Sequence, residues 1–148
     1  MFTKKEHVRV LAKNVVSRLE QDQSIVLNLR MRQHVYQDLF LKLEPLILTD
    51  EDIREKVIAQ LGLKAEALTD SGSAESDQFK AAKSVILNKY GENAVMGLYY
   101  QQPVKAVAQR IGEFLMSHHQ VEDVFPSDEE LEKSLVDFLK RFNPSELH

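Results

Sequence analysis

The sequence predicts an all-α fold, with five to six amphipathic helices in a compact bundle. Apolar residues recur at spacings of three and four positions through most of the chain, which is the helical period. Hydroxyl and acidic residues that typically begin helices precede several of these apolar stripes. With 148 residues and a hydrophobic content of 43%, the chain is long enough to bury one core. We therefore predict a single helical domain spanning residues 1–148.

Three helices are expected before residue 62. The first follows Thr3-Lys4-Lys5-Glu6, which matches a capping box, and the third follows the N-cap sequence Thr49-Asp50-Glu51-Asp52 and ends at Gly62. Between them, a second helix is expected from about Arg30 to Leu46, ending or kinking near Pro45. The buried stripes of the first two helices are predicted to be Val8, Leu11, Val15 and Leu19, then Met31, Val35, Leu39 and Leu43.

Residues 67–76 have no apolar period and are rich in turn formers. They predict a mobile connector between two sub-halves, residues 1–62 and 77–148.

The second sub-half also has helical spacing. Its stripes are Phe79, Ala82, Ile86 and Tyr90, then Val104, Val107, Ile111 and Leu115, then Leu131, Leu135, Phe138 and Phe142. The last stripe follows Ser127-Asp128-Glu129-Glu130, a second capping box. For residues 92–102 we favour a short helix ended by Pro103, with an extended segment as the alternative, because the apolar positions fit both periods.

The two sub-halves resemble each other. Residues 8–19 align with 104–115, and residues 49–61 align with 127–139, with matching apolar positions. Two similar three-helix halves from an internal duplication are one interpretation, and independent amphipathic helices with similar caps are the other.

Composition and charge exclude several classes of function. The chain has no cysteine, which excludes disulfides, thiolate metal sites and cysteine nucleophiles and suits a reducing, cytoplasmic compartment. No apolar run is long enough for a membrane span or a signal peptide. Residues 1–62 hold 10 basic and 9 acidic side chains, whereas residues 63–148 hold 9 and 14, which together give the net charge of −4. Only the first sub-half could therefore present a basic patch to nucleic acid.

The run SHHQVEDVFPSDEELE, from Ser117 to Glu132, places two adjacent histidines and several acidic residues close together and is a candidate site. His118, His119, Glu122 and Asp123 are residue types that bind transition metals. Adjacent histidines on a helix diverge by about 100°, however, so solvated side chains are the favoured interpretation and no metal is predicted. Val121, Val124 and Phe125 are expected to insert between two helices while Glu122 and Asp123 face water. Together with Asp128, these five residues form the predicted interaction turn.

A basic face on the first sub-half is a second candidate site, formed by Arg9, Lys13, Arg30 and Arg32. Acidic side chains are interleaved with these residues, which favours an ordinary solvated helix surface. Tyr99 and Tyr100 could stack on a ligand, but core positions are the favoured interpretation.

Residues 107–142, VAQRIGEFLMSHHQVEDVFPSDEELEKSLVDFLKRF, resemble the C-terminal segment of the bacterial family called domain of unknown function 507. The matching features are the run Leu115-Met116-Ser117, the turn from Val121 to Phe125, and the acid-initiated last helix with Asp128 and Leu131. Asp123 and Phe125 stand where the family has glutamate and tyrosine, and Glu132 where it often has arginine. The resemblance implies a small, helical, cytoplasmic bacterial protein and no particular activity.

No phosphate-binding glycine loop, nucleophile elbow or paired-histidine metal motif is present, so neither a catalytic site nor a cofactor is predicted. The leading hypothesis is a non-enzymatic interaction or regulatory protein that binds a protein partner or itself. The alternative is association with nucleic acid through the basic face, and an enzyme is third.

Overall fold

The computed structural model describes residues 4–61 and 77–143. This part of the chain is mostly helical, which confirms the predicted class at the coarse level. Its α-helices are α1 (Lys4–Gln21), α2 (Arg32–Leu43), α3 (Asp50–Leu61), α4 (Asp77–Asn88), α5 (Val104–Ser117) and α6 (Asp128–Arg141). No helix in the described ranges combines the length and apolar character needed to cross a bilayer.

The fold is not strictly all-α, because short strands connect several of the helices. They are β1 (Ile25–Leu27), β2 (Ile47–Thr49), β3 (Ala94–Val95), β4 (Leu98–Tyr100) and β5 (Val121–Val124). β1 pairs with β5, and a second sheet has the order β2-β4-β3, with every pairing antiparallel. Strands of two to four residues are too short to show an alternating pattern in the sequence.

The helix favoured for residues 92–102 is wrong, because this segment is a β-hairpin. A 3₁₀ turn, Gly91–Asn93, precedes β3, and Val95 pairs with Leu98 across a two-residue loop. Both loop residues have positive φ, +48° at Met96 and +83° at Gly97, as a type I′ turn requires. Because an α-helix needs φ near −60°, this turn excludes a helix here.

The other predicted helices form close to their expected bounds. α2 is shorter than predicted because 3₁₀ turns, Leu29–Met31 and Glu44–Leu46, occupy both ends, and Pro45 lies in the second. The capping box at Ser127 is confirmed: its hydroxyl accepts from the Glu130 amide at 3.2 Å, and its amide donates to the Glu130 carboxylate at 3.3 Å. The predictions for Thr3, Gly62 and the connector 67–76 lie outside the described residues.

Two apolar clusters hold these elements together. The larger one lies among α1, α2, α5 and α6, where α1 packs on α2 and α5 packs on α6. The smaller one lies between α3 and α4, with Ile53, Val57, Phe79 and Ile86 at its centre. β4 contributes to both clusters, since Tyr100 belongs to the larger and Tyr99 to the smaller.

The larger cluster is built from a helix–strand–helix unit that occurs twice, as α1-β1-α2 and α5-β5-α6. In the helices, eight buried positions of the first unit have a buried counterpart in the second, always at the sequence separation between Val8 and Val104. The matched pairs are Val8 and Val104, Leu11 and Val107, Ala12 and Ala108, Val15 and Ile111, Leu19 and Leu115, Val35 and Leu131, Leu39 and Leu135, and Leu43 and Leu139. The correspondence of residues 8–19 with 104–115 agrees with this arrangement, whereas α6 occupies the place of α2 rather than of α3. The equivalent strands β1 and β5 pair antiparallel, as in two units related by a local twofold rotation.

Candidate interaction surface

The predicted interaction turn is β5 and the segment that leads from it into α6. β5 pairs with β1 to form a two-stranded ribbon, so the turn is fixed to the first sub-half. At one end of the ribbon the Phe125 amide donates to the Ser24 carbonyl, and at the other the Asn28 amide donates to the Gln120 carbonyl, both at 2.9 Å. The Asn28 side-chain amide also donates to Gln120 Oε1 at 3.0 Å. The backbone of the turn is therefore held at both ends.

Three large apolar side chains stand on the outer side of the ribbon. Val26, Leu29 and Phe125 are 40%, 69% and 62% exposed, and they line a shallow groove of about 750 Å³. We call these three residues the ribbon patch. Leu29 and Phe125 occupy equivalent positions in the two helix–strand–helix units, each just after the strand of its unit.

The expectation that Phe125 inserts between helices is wrong, whereas Val121 and Val124 are half-buried against the larger cluster. The reason is the alternation of side chains along a strand: Val124 faces inward opposite Ile25, so the next residue faces outward. Val26 and Leu29 were not predicted as site residues. They join the site only through a strand pairing between distant segments, which leaves no local signal.

Four exposed carboxylates, which we call the acidic rim, lie on β5 and the start of α6: Glu122, Asp123, Asp128 and Glu129. Within the described part of the chain none of them forms an ion pair. Asp123 instead accepts the Val124 amide at 3.1 Å through its own side chain. The predicted exposure of Glu122 and Asp123 is confirmed.

His118 is held by two hydrogen bonds rather than projecting into solvent. The Gln120 amide donates to Nδ1 at 3.1 Å, so the ring hydrogen is on Nε2, which lies 2.7 Å from Asp38 Oδ2. This contact ties the end of α5 to α2. Across the described ranges, no three histidine or carboxylate side chains are arranged to hold a metal ion, and His118, His119, Glu122 and Asp123 do not converge.

The residues of the predicted basic face do not form one continuous patch, because they are spread along the helices α1 and α2. The Arg9 guanidinium lies 4.9 Å from the ring centroid of Phe40, whereas Arg32 donates to Glu20 at 2.8 Å. Arg9 and Glu20 are separated on α1 by about 16 Å, from the helical rise per residue. Lys13 is exposed one turn after Arg9, and Arg30 borders the ribbon groove. Arg32 and Arg9 therefore lie toward opposite ends of the α1–α2 helix pair, and Glu20 neutralises Arg32.

A second polar cluster, not anticipated from the sequence, joins α1, α3 and β4. The Tyr99 hydroxyl donates to Asp50 Oδ1 at 2.5 Å. Burial of the hydroxyl, which is the larger cause, and this hydrogen bond both raise the pKa of Tyr99. His7 is also buried, which lowers its pKa, while the charge of Asp50 opposes that shift. Gly97 packs beside both groups, because a Cβ there would lie 2.9 Å from Asp50 Oδ2 and 3.2 Å from His7 Cε1. The cluster connects three elements, which indicates a structural role.

Comparison of the chain with protein-family models, curated proteins and solved structures gives no match.

Proposed function

We propose that this protein is a non-enzymatic interaction module and that the ribbon patch is its binding surface. The observation that carries the proposal is the exposure of Val26, Leu29 and Phe125 together on one groove. Single exposed apolar residues are normal on protein surfaces, but a group of large ones bordered by charges is typical of interaction sites. Burying these side chains against a partner would remove their apolar area from water and favour binding.

The construction of the ribbon supports this role. Ile25 and Leu27 alternate with Val26 and are buried in the larger cluster, so the patch rests on a packed layer. The hydrogen bonds at both ends of the ribbon hold the backbone in one geometry. A preformed surface of this kind loses little conformational entropy on binding.

The leading proposal also includes a cytoplasmic location and membership of the domain of unknown function 507 family. The alternative proposal is association with nucleic acid. The basic residues support the alternative less than the ribbon patch supports a protein partner. Arg32 is already paired with Glu20, and two carboxylates of the acidic rim, Glu122 and Asp123, lie on the ribbon that Arg30 borders. Phosphates would be repelled there.

The proposal can be tested by capture with three immobilised proteins: the wild type, the variant L29S/F125S, and the variant V85S/M96S. Val85 and Met96 are each 56% exposed at positions outside the ribbon, so the last variant removes comparable apolar surface. We expect a partner that the wild type and V85S/M96S retain and L29S/F125S loses. Mixing that partner, purified, with each of the three proteins should reproduce the difference.

Nuclease treatment of the extract separates the two proposals. Retention of the partner after nuclease treatment supports a protein interaction. Loss of all captured material on nuclease treatment, with equal retention by L29S/F125S beforehand, would reject the ribbon patch in favour of nucleic acid.

A further inference from the structure

We infer that the partner of the ribbon patch is a cationic segment of another protein, one that carries large apolar side chains between lysines or arginines. This inference rests on the proposed function, because it identifies what that surface binds. It comes from the charges around the patch rather than from the patch itself.

The charges bordering the patch are predominantly negative. Glu122 lines the groove, Asp123 lies opposite Val26 in the ribbon, and Asp128 and Glu129 follow Phe125 in sequence at the start of α6. All four are exposed and without an ion pair in the described part of the chain. Arg30 is the cation that lines the groove, at the Leu29 side. Arg32 adds no free positive charge because Glu20 binds it at 2.8 Å.

This distribution favours a partner of opposite charge. Like charges placed against each other across an interface raise the free energy of the complex, whereas complementary charges lower it and accelerate association. A segment with lysine or arginine beside its apolar residues would place positive charge against the four carboxylates while its apolar side chains cover Val26, Leu29 and Phe125. The attraction acts through exposed groups, so it should weaken as salt is added.

The same charges disfavour a second copy of this chain. In a twofold dimer each patch meets an identical patch, so the acidic rim of one copy would lie against the acidic rim of the other. One Arg30 from each copy could not neutralise the four carboxylates of the opposing rim.

The dimensions of the ribbon suit a short segment. The hydrogen bonds at Ser24 and Asn28 mark its ends, four residues apart along β1, which is about 13 Å at the rise of a strand. Phe125 lies at the Ser24 end of the ribbon and Leu29 at the Asn28 end. Two apolar side chains on a partner segment of a few turns of helix, or of about five extended residues, would reach both.

The test uses two labelled peptides of about four helical turns, one of leucine and lysine with amphipathic spacing and one with glutamate in place of lysine. Fluorescence anisotropy measures their binding to the wild type, to the rim variant E122Q/D123N/E129Q, and to the control variant E51Q/E55Q/E113Q. The control neutralises three exposed carboxylates away from the ribbon. The rim variant keeps the Ser127–Glu130 capping box, and its Asp123→Asn change retains a side-chain oxygen for the Val124 amide. Circular dichroism establishes that each variant is folded.

We expect the lysine peptide to bind the wild type and the control with similar affinity and the rim variant about tenfold more weakly. The glutamate peptide should not bind. Equal weakening by the rim variant and the control would show non-specific charge attraction and overturn the inference.

The variant L29S/F125S distinguishes this inference from the proposed function. If the glutamate peptide binds and L29S/F125S abolishes that binding, the partner's charge is wrong while the ribbon patch remains the binding surface. If L29S/F125S changes the binding of neither peptide, the surface itself is wrong. A dimer seen by sedimentation and dissociated by L29S/F125S would identify a second copy as the occupant and overturn the cationic partner.

Discussion

Tyr99 and Tyr100 are adjacent in β4, yet their hydroxyl groups have opposite environments. The Tyr99 hydroxyl donates a hydrogen bond to Asp50. Tyr100 is 1% exposed, and its hydroxyl has no hydrogen-bond partner among the described residues. A buried hydroxyl that has lost its water and gained no partner lowers stability.

This difference predicts opposite effects of the same substitution. Tyr100→Phe should raise the free energy of unfolding by about 1 kcal/mol, because it removes an unsatisfied polar group and keeps the ring. Tyr99→Phe should lower it by about 1 kcal/mol, because Asp50 loses a hydrogen bond. Urea denaturation measures both. An equal loss in the two variants would mean that the Tyr100 hydroxyl is satisfied in solution.

His7 predicts a pH dependence of stability. Burial lowers the pKa of His7 from its ordinary value of 6.5, and Asp50 opposes this shift. In the unfolded chain His7 takes up a proton as the pH falls through 6.5, whereas in the native protein it takes up a proton only at lower pH. The free energy of unfolding should therefore fall with decreasing pH in this range, by at most about 1.4 kcal/mol per pH unit for one group.

The variant His7→Gln isolates this contribution, since glutamine does not titrate. Its stability should change less than that of the wild type between about pH 7 and pH 5, the range in which histidine titrates, in a series of denaturation curves. His34→Gln, at an exposed position, is the matched control. If the His34 variant flattened the profile and the His7 variant did not, the assignment to His7 would fail.

At the scale of single elements, the hairpin β3-β4 depends on Gly97. Its φ of +83° strains any residue with a Cβ, and a Cβ would also approach Asp50 Oδ2 to 2.9 Å. Asp50 cannot move away freely, because Tyr99 holds its other oxygen. Gly91 has a φ of +49° and open space around it, so it provides a matched comparison.

Gly91→Ala should therefore lower the free energy of unfolding by about 1 kcal/mol through backbone strain alone. Gly97→Ala should lower it by about 2 kcal/mol or more, since strain and a close contact add. Thermal or urea denaturation compares the two variants. Equal losses would show that the Asp50–Tyr99 pair adjusts without cost.

The helices and the strands differ in how far the sequence predicts them. α1 and α6 were predicted because their apolar stripes extend over several turns, and the burial of Leu11, Val15, Leu131 and Leu135 confirms those stripes. β1 and β5 are short, and each is stable only because it pairs with a strand far away in the sequence. Local pattern contains no information about such a partner, which is why the ribbon was missed.

The same limit applies to the candidate site. Glu122 and Asp123 were identified from one polar run, and their exposure follows from local sequence. The orientation of Phe125 depends on the strand register, and the contribution of Leu29 depends on the pairing of β1 with β5. The ribbon patch therefore becomes visible only when the first and last parts of the chain are placed together.

At the scale of the whole molecule, the two apolar clusters indicate two levels of stability. The larger cluster joins four helices and includes most of the fully buried side chains, whereas the smaller one depends on contacts between α3 and α4. Regions with fewer buried contacts open at lower free energy than the global unfolding reaction. Amide hydrogen exchange should therefore show weaker protection in α3 and α4 than in α1, α2, α5 and α6.

Two cavity-forming substitutions test whether the clusters open separately. Val57→Ala, in the smaller cluster, should lower protection by about 2 kcal/mol in α3 and α4 and leave α1, α2, α5 and α6 nearly unchanged. Leu135→Ala, in the larger cluster, should lower global stability by about 3 kcal/mol and reduce protection in α1 through α6. The loss should reach α3 and α4 because α3 packs against α1 and β2, and α4 packs on α3. Hydrogen exchange followed by mass spectrometry resolves these regions. Equal loss of protection in every helix of the Val57 variant would instead show that both clusters unfold as one cooperative unit, held together by β4, which contributes side chains to each.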